Sequence, residues 1–166
     1  MPVIEQELGF SMPSNSGRVV TKWRVVPTSE ADRSLVLETQ LQSTFFDRTR
    51  DAAEAAVVQD VSIALHQVVS SRQDLHRLKD LLDAWLEGQA LFSTSLVESP
   101  GQGFRIGLSL RDDVICSSDK PVFEVDYEAG FSVRTQWAYV VDQSCVRIAS
   151  DELGELLALL EPPRTP

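Results

Sequence analysis

VSIALHQVVSSRQDLHRLKDLLDAWLEG, residues 61–88, changes its hydrophobic period once, and the change falls on a serine. Before it, Val61, Ile63 and Leu65 point one way, with Asp60, Ser62 and His66 on the other face, the alternation of a half-buried strand. After it, Leu75, Leu78, Leu82 and Trp85 recur at helical spacing, widened by Leu81 and Leu86, which predicts an amphipathic helix over 71–88. Ser71 stands where its hydroxyl accepts from the Asp74 amide while Asp74 reaches back, a capping box with Asp in place of Glu. Gly88 is expected to supply the left-handed stop.

CVRIASDELGELLALLEPP, residues 145–163, repeats the transition. CVRIA reads as a last strand, and the final helix is expected over 150–161, capped by Ser150. Asp151 and Glu152 in its first turn complement the helix dipole, Leu153, Leu156, Leu157 and Leu160 form its stripe, and Pro162-Pro163 ends it. Superposing Leu75, Leu78, Leu81 and Leu82 on Leu153, Leu156, Leu159 and Leu160 sets Arg72 against Ser150, so the two units do not read as a duplication.

Between and before these units lie strands. Arg18–Val26 and Ser34–Leu41 read as an antiparallel pair, and residues 42–56 suggest a short helical turn without a clean stripe. A loop ending in PGQG leads to FRIGLSL, where Phe104, Ile106, Leu108 and Leu110 alternate with Arg105, Gly107 and Ser109. PVFEVDY and FSVRTQWAYVV are joined by Glu128-Ala129-Gly130, a short loop with glycine where positive φ is needed. Hairpin-linked strands with two helices define an α+β fold. The expectation is a single domain over 1–166, with six to eight mostly antiparallel strands and helices 71–88 and 150–161 packed on them. Residues 1–17 are expected to be weakly ordered and 162–166 to form a short tail.

The net charge of −10 is unevenly spread: bases and acids are six and six up to residue 50, and nine and nineteen beyond it. Such a field repels nucleic-acid phosphates and anionic membranes and attracts cationic partners. No apolar run approaches the ~20 residues of a membrane span. Glu5 and Glu7 stand at the start with no base before Arg18, unlike a secretory signal, and two cysteines, Cys116 and Cys145, are too few for a disulfide framework. A cytoplasmic location is therefore expected.

No catalytic or metal motif stands out. His66 and His76 lack ligands at zinc spacing, the prominent serines read as helix caps, and PGQGF lacks the Lys-Ser/Thr of a phosphate loop, so the chain reads as non-enzymatic and without a cofactor. The carboxylates are more informative. Glu124, Asp126 and Glu128 fall at i, i+2 and i+4, one face of a strand, with Asp112, Asp113 and Asp119 in nearby turns. The bland reading is a solvated sheet face over a core of Phe123, Val125 and Tyr127; the sharper one is a docking surface for a basic protein. A competing reading takes the strip of Phe131, Val133, Trp137 and Tyr139 as the wall of a ligand or enzyme pocket. A third is a structural subunit, and self-association is compatible with all of these readings.

SSRQDLHRLKDLLDAWLEG, FRIGLSL and VRIASDELGELLALL, in that order over about residues 57–161, resemble the WapI-like bacterial immunity proteins. In that family strands feed a leucine-rich helix, a meander follows and a last helix closes the chain. The resemblance implies a cytosolic protein that neutralises a cognate toxin by binding it, and it carries no site residue with it.

Overall fold

The computed structural model describes residues 7–26, 35–46, 57–99, 102–111, 113–114, 120–130 and 133–161. Strands β1 (Gly9–Pro13), β2 (Val19–Val26), β3 (Leu35–Phe46) and β4 (Val57–Ser70) precede α1 (Arg72–Gly88). Strands β5 (Phe92–Ser99), β6 (Gln102–Leu110), β7 (Pro121–Ala129) and β8 (Val133–Val140) precede α2 (Gln143–Leu160). Each set of four strands is an antiparallel meander whose spatial order is its chain order. The fold is α+β, two helices and two four-stranded sheets around one core.

Helix α1 matches its expectation closely. The Ser71–Asp74 capping box is formed, and Leu75, Leu78, Leu82 and Trp85 are its buried residues. Burial of such side chains contributes roughly 1.5–3 kcal/mol each. Only its end differs: the left-handed residue is Gln89, φ 54°, whose amide donates to Trp85 O. Gly88 remains helical.

Helix α2 corrects the reading of 145–163. It starts at Gln143, with Asp142 as cap accepting from the Cys145 amide at 3.1 Å. CVRIA is therefore helical, not a strand. Its apolar residues fit the helical period too: Val146 and Ala149 precede Leu153 by seven and four, and all are buried, while Ile148 is exposed. Ser150 is a buried mid-helix residue and caps nothing.

Three further segments differ from expectation. Gly9–Pro13 forms strand β1, within a stretch expected to be weakly ordered. Residues 42–46 continue β3 and Val57 opens β4, while 47–56 lie outside the described residues. FSTSLVES, expected as loop, is β5, hairpinned to β6 with Ser99 opposite Gln102, so Gly103 of PGQG lies inside a strand. The β7–β8 hairpin forms with Gly130 at φ 62°, but Glu128 and Ala129, expected in its loop, are the last paired residues of β7.

The chain thus runs through the order ββββα twice. Aligning the halves cap on cap, Ser71 with Asp142, brings Leu75, Leu78, Leu82 and Trp85 onto Val146, Ala149, Leu153 and Leu156, all buried. That register differs from the leucine-on-leucine superposition that argued against a repeat. Each helix also serves the first strand of the other half. Glu152 of α2 accepts from Ser11 N (2.6 Å) and Ser11 Oγ (2.8 Å) in β1, while Arg77 of α1 donates to Ser95 O in β5 at 2.9 Å. Covering an edge strand with a helix in this way disfavours its pairing with a foreign strand.

Where the helices cross, the same two positions meet reciprocally. Lys79 Nζ donates to Ser150 Oγ (2.9 Å) and Asp83 Oδ2 (2.9 Å), and the Ser150 hydroxyl donates to Asp83. Gly154 admits the Lys79 stem, since a Cβ there would meet Lys79 Cε at 2.9 Å. Burial alone would raise the Asp83 pKa; the hydrogen bonds from Ser150 and Lys79, with the lysine charge, outweigh it and lower it.

Candidate functional site

On one face of strand β7, Phe123 and Val125 are buried; on the other, Glu124 and Asp126 are half-buried and Glu128 is exposed, while Val122 at the start of that face is buried too. The register places Arg105 opposite Asp126 on one side and Arg134 opposite Glu128 on the other. Glu124 and Glu128 face Gly107 and Gly103 of β6; a Cβ at Gly103 would meet nothing closer than Glu128 Cβ at 3.9 Å, whereas one at Gly107 would meet Phe92 O at 2.9 Å.

The row is compensated from within the chain. Arg134 grips Asp126 with two hydrogen bonds, Nη2 to Oδ2 at 2.8 Å and Nε to Oδ1 at 3.2 Å, and stands 3.8 Å from Glu128 Oε1. Arg111 does the same for Asp113 and adds a bond from Nη1 to Glu124 Oε2 at 2.9 Å. Hydrogen bonds from Arg111 hold the Asp113 carboxyl below its usual range, and those to Asp113 and Glu124 raise the Arg111 guanidinium. A shallow hollow of about 210 Å³ lies among Arg105, Asp126, Glu128 and Arg134, floored by Gly103 and Phe104. The structure therefore brings Glu124, Asp126, Glu128 and Asp113 into one region, laced with arginines that composition alone does not place there. Asp112 and Asp119 lie outside the described residues.

A larger open cleft of about 470 Å³ runs between α2 and the outward side of β1, β2 and β3. Glu7, Glu38, Glu152 and Glu155 line it with Lys22 and Arg24, and Leu159, 60% exposed, sits at its rim. Arg24 bridges Glu38 at 2.8 Å and Glu7 at 3.9 Å, and Glu38 raises its pKa. No sequence signal points to this cleft, because Ser11 and Glu152 meet across 141 residues of chain.

The aromatic strip is core. Trp137 and Tyr139 are buried, Val133 is 54% exposed, and Phe131 lies outside the described residues. Trp137 Nε1 donates to Thr21 Oγ1 at 3.1 Å, Thr21 lies 2.8 Å from Tyr139 OH, and Tyr139 donates to Met12 O at 2.5 Å. Because an indole N–H only donates and a carbonyl only accepts, both hydroxyls are forced to donate in the same sense along the chain.

Among the described residues no group of three His, Cys, Asp or Glu could hold a metal ion. His76 is exposed on α1. Cys145 is buried in the first turn of α2, where burial raises its thiol pKa. Cys116 is outside the described residues, and for His66 only the backbone, in β4, is described. No described helix is long and apolar enough to cross a membrane.

Comparison with protein-family models, with curated proteins and with solved structures found no match for this chain.

Proposed function

We propose that the protein is a non-enzymatic acidic binding protein whose β7 face docks a cationic protein partner. The observation that carries this reading is the single outward row Glu124, Asp126, Glu128, joined by Asp113 through Arg111. Its counter-charges do not close it to a partner. Arg134 is 60% exposed on its side chain, and exposed ion pairs of this kind are screened by solvent and weak, so a basic partner exchanges one guanidinium for another at little cost. The net charge of −10 adds long-range attraction and speeds encounter. Neutralisation of a toxin by direct contact, in the manner of the WapI-like proteins, is the specific form of this activity we favour.

The test is affinity capture from the source cell with two baits, the wild-type chain and the triple variant Glu124→Gln/Asp126→Asn/Glu128→Gln. The expected outcome is a basic protein kept by the first bait and lost by the second, bound less tightly as salt rises. Equal retention by both baits, or binding indifferent to salt, would sink the proposal.

A second reading has its own observation. The cleft between α2 and β1–β3 is of ligand-pocket size, and it lies away from Trp137, where the sequence pointed.

A further inference from the structure

The cleft beside α2 is lined on both walls by groups that accept hydrogen bonds. Glu152, Glu155 and Leu159 fall at i, i+3 and i+7 of α2 and so share the face turned to it. Glu152 spends only Oε2 on Ser11, and Glu155 is exposed and forms no ion pair among the described residues. The facing wall is the edge of β1. There the Leu8 carbonyl accepts from Val25 N of β2, while Ser11 N turns the other way, to Glu152. Backbone polar groups of successive strand residues point to opposite sides, so the Gly9 and Ser11 carbonyls share that open edge with Ser11 N. Both residues line the cleft, and a carbonyl only accepts.

The charges agree. Glu7, Glu38, Glu152 and Glu155 line the cleft against Lys22 and Arg24, two negative charges in excess. Arg24 is held by Glu38, and Lys22 is exposed on the outer face opposite Ser11. Beside the acceptors lies hydrocarbon: Leu159 at the rim, half-buried Leu8, and buried Phe10 and Leu156. We propose that this cleft binds a small amphiphilic amine, an ammonium group carried on an apolar body. An ammonium has three N–H donors and no acceptor, so it matches Glu155, the second oxygen of Glu152 and a β1 carbonyl together. Its apolar body then covers Leu159 and Leu8. A carboxylate or phosphate ligand meets acceptors and like charge instead. The opening of about 470 Å³ lies within the range of small-molecule sites, about 300–1,000 Å³. This inference rests on the reading of the cleft as a ligand site and is independent of docking on β7, which lies in the other sheet.

Three probes test it through the amide NMR shifts of the isotope-labelled full chain at low salt and neutral pH: 2-phenylethylamine, 3-phenylpropionate and methylamine. The first carries both features, the second reverses the charge, and the third lacks the apolar body. 2-Phenylethylamine should move the Gly9, Ser11, Glu155 and Leu159 amides saturably, and 3-phenylpropionate should leave them in place. Methylamine should bind about tenfold more weakly or worse. Glu155→Gln, at an exposed position that leaves the core alone, should raise the 2-phenylethylamine dissociation constant by about two- to fivefold. No saturable shift, equal binding of the carboxylate or of methylamine, or an affinity indifferent to Glu155→Gln would overturn the proposal. So would shifts gathered on Glu124, Asp126 and Glu128 in place of the cleft. The triple variant that tests β7 alters no residue of the cleft, so the two readings stand or fall separately.

Discussion

Tyr139 joins the two sheets at one atom. Its hydroxyl donates to Met12 O in β1 and lies next to Thr21 of β2, while Trp137, two residues earlier, donates to the same threonine. Every polar group in this buried set has a partner, which is the condition for a polar network to stabilise a core. Burial raises the Tyr139 pKa, against a smaller opposing effect of the Thr21 hydrogen bond. The unfolded chain, with its ordinary tyrosine, therefore ionises first, so the part of the stability linked to Tyr139 is intact below about pH 10 and falls as pH rises beyond it. Tyr139→Phe is expected to cost about 1–3 kcal/mol at neutral pH, because Met12 O and Thr21 lose their partner in the core. It should also flatten the alkaline decline by removing the Tyr139 part, while the part due to the buried Cys145 thiol remains. Urea unfolding at pH 7 and at pH 11 measures both effects. The aromatic pattern of β8 was legible in the sequence; that its polar ends would meet Thr21 was not, because more than a hundred residues separate them.

At the scale of elements, α1 was readable to its cap because every local signal agreed: the box, the stripe and the solvent face. Helix α2 was readable only in its second half. Val146 and Ile148 are β-branched and alternate with Arg147, a strand-like triplet, and the leucines begin only at Leu153. The deciding signals were Asp142, three residues before Cys145, and the continuation of the stripe back through Ala149 to Val146. Serine at a helix cap and serine in a helix interface look alike in sequence. Lys79 and Asp83 distinguish them only once α1 and α2 are packed together. The end of α1 was misplaced by one residue for a comparable reason, since Gly88 drew the left-handed turn that Gln89 makes. A non-glycine residue at φ 54° carries a steric penalty that glycine lacks. Gln89→Gly is therefore expected to stabilise the protein by about 0.5–1 kcal/mol. The urea midpoint should rise while the slope of the transition stays constant.

Over the whole molecule, the two ββββα halves are interlocked: each helix closes the leading strand of the other half, and the two helices lock at Lys79, Asp83, Ser150 and Gly154. This arrangement leaves the outward face of β7 as the surface on which the proposed contact depends. The acidic row itself was legible, because strand alternation fixes which carboxylates share a face. Its arginines were not, because Arg111 and Arg134 reach it from a turn and from the neighbouring strand. Those arginines provide the sharpest test. If Asp126 and Glu128 receive a cationic partner, Arg134 competes with it, and Arg134→Ala should tighten the complex with the captured protein. Calorimetry at low salt should show a gain of about two- to fivefold, the worth of one exposed ion pair. A complex that weakens on loss of Arg134, or does not change, would contradict a basic partner docking on the β7 carboxylates.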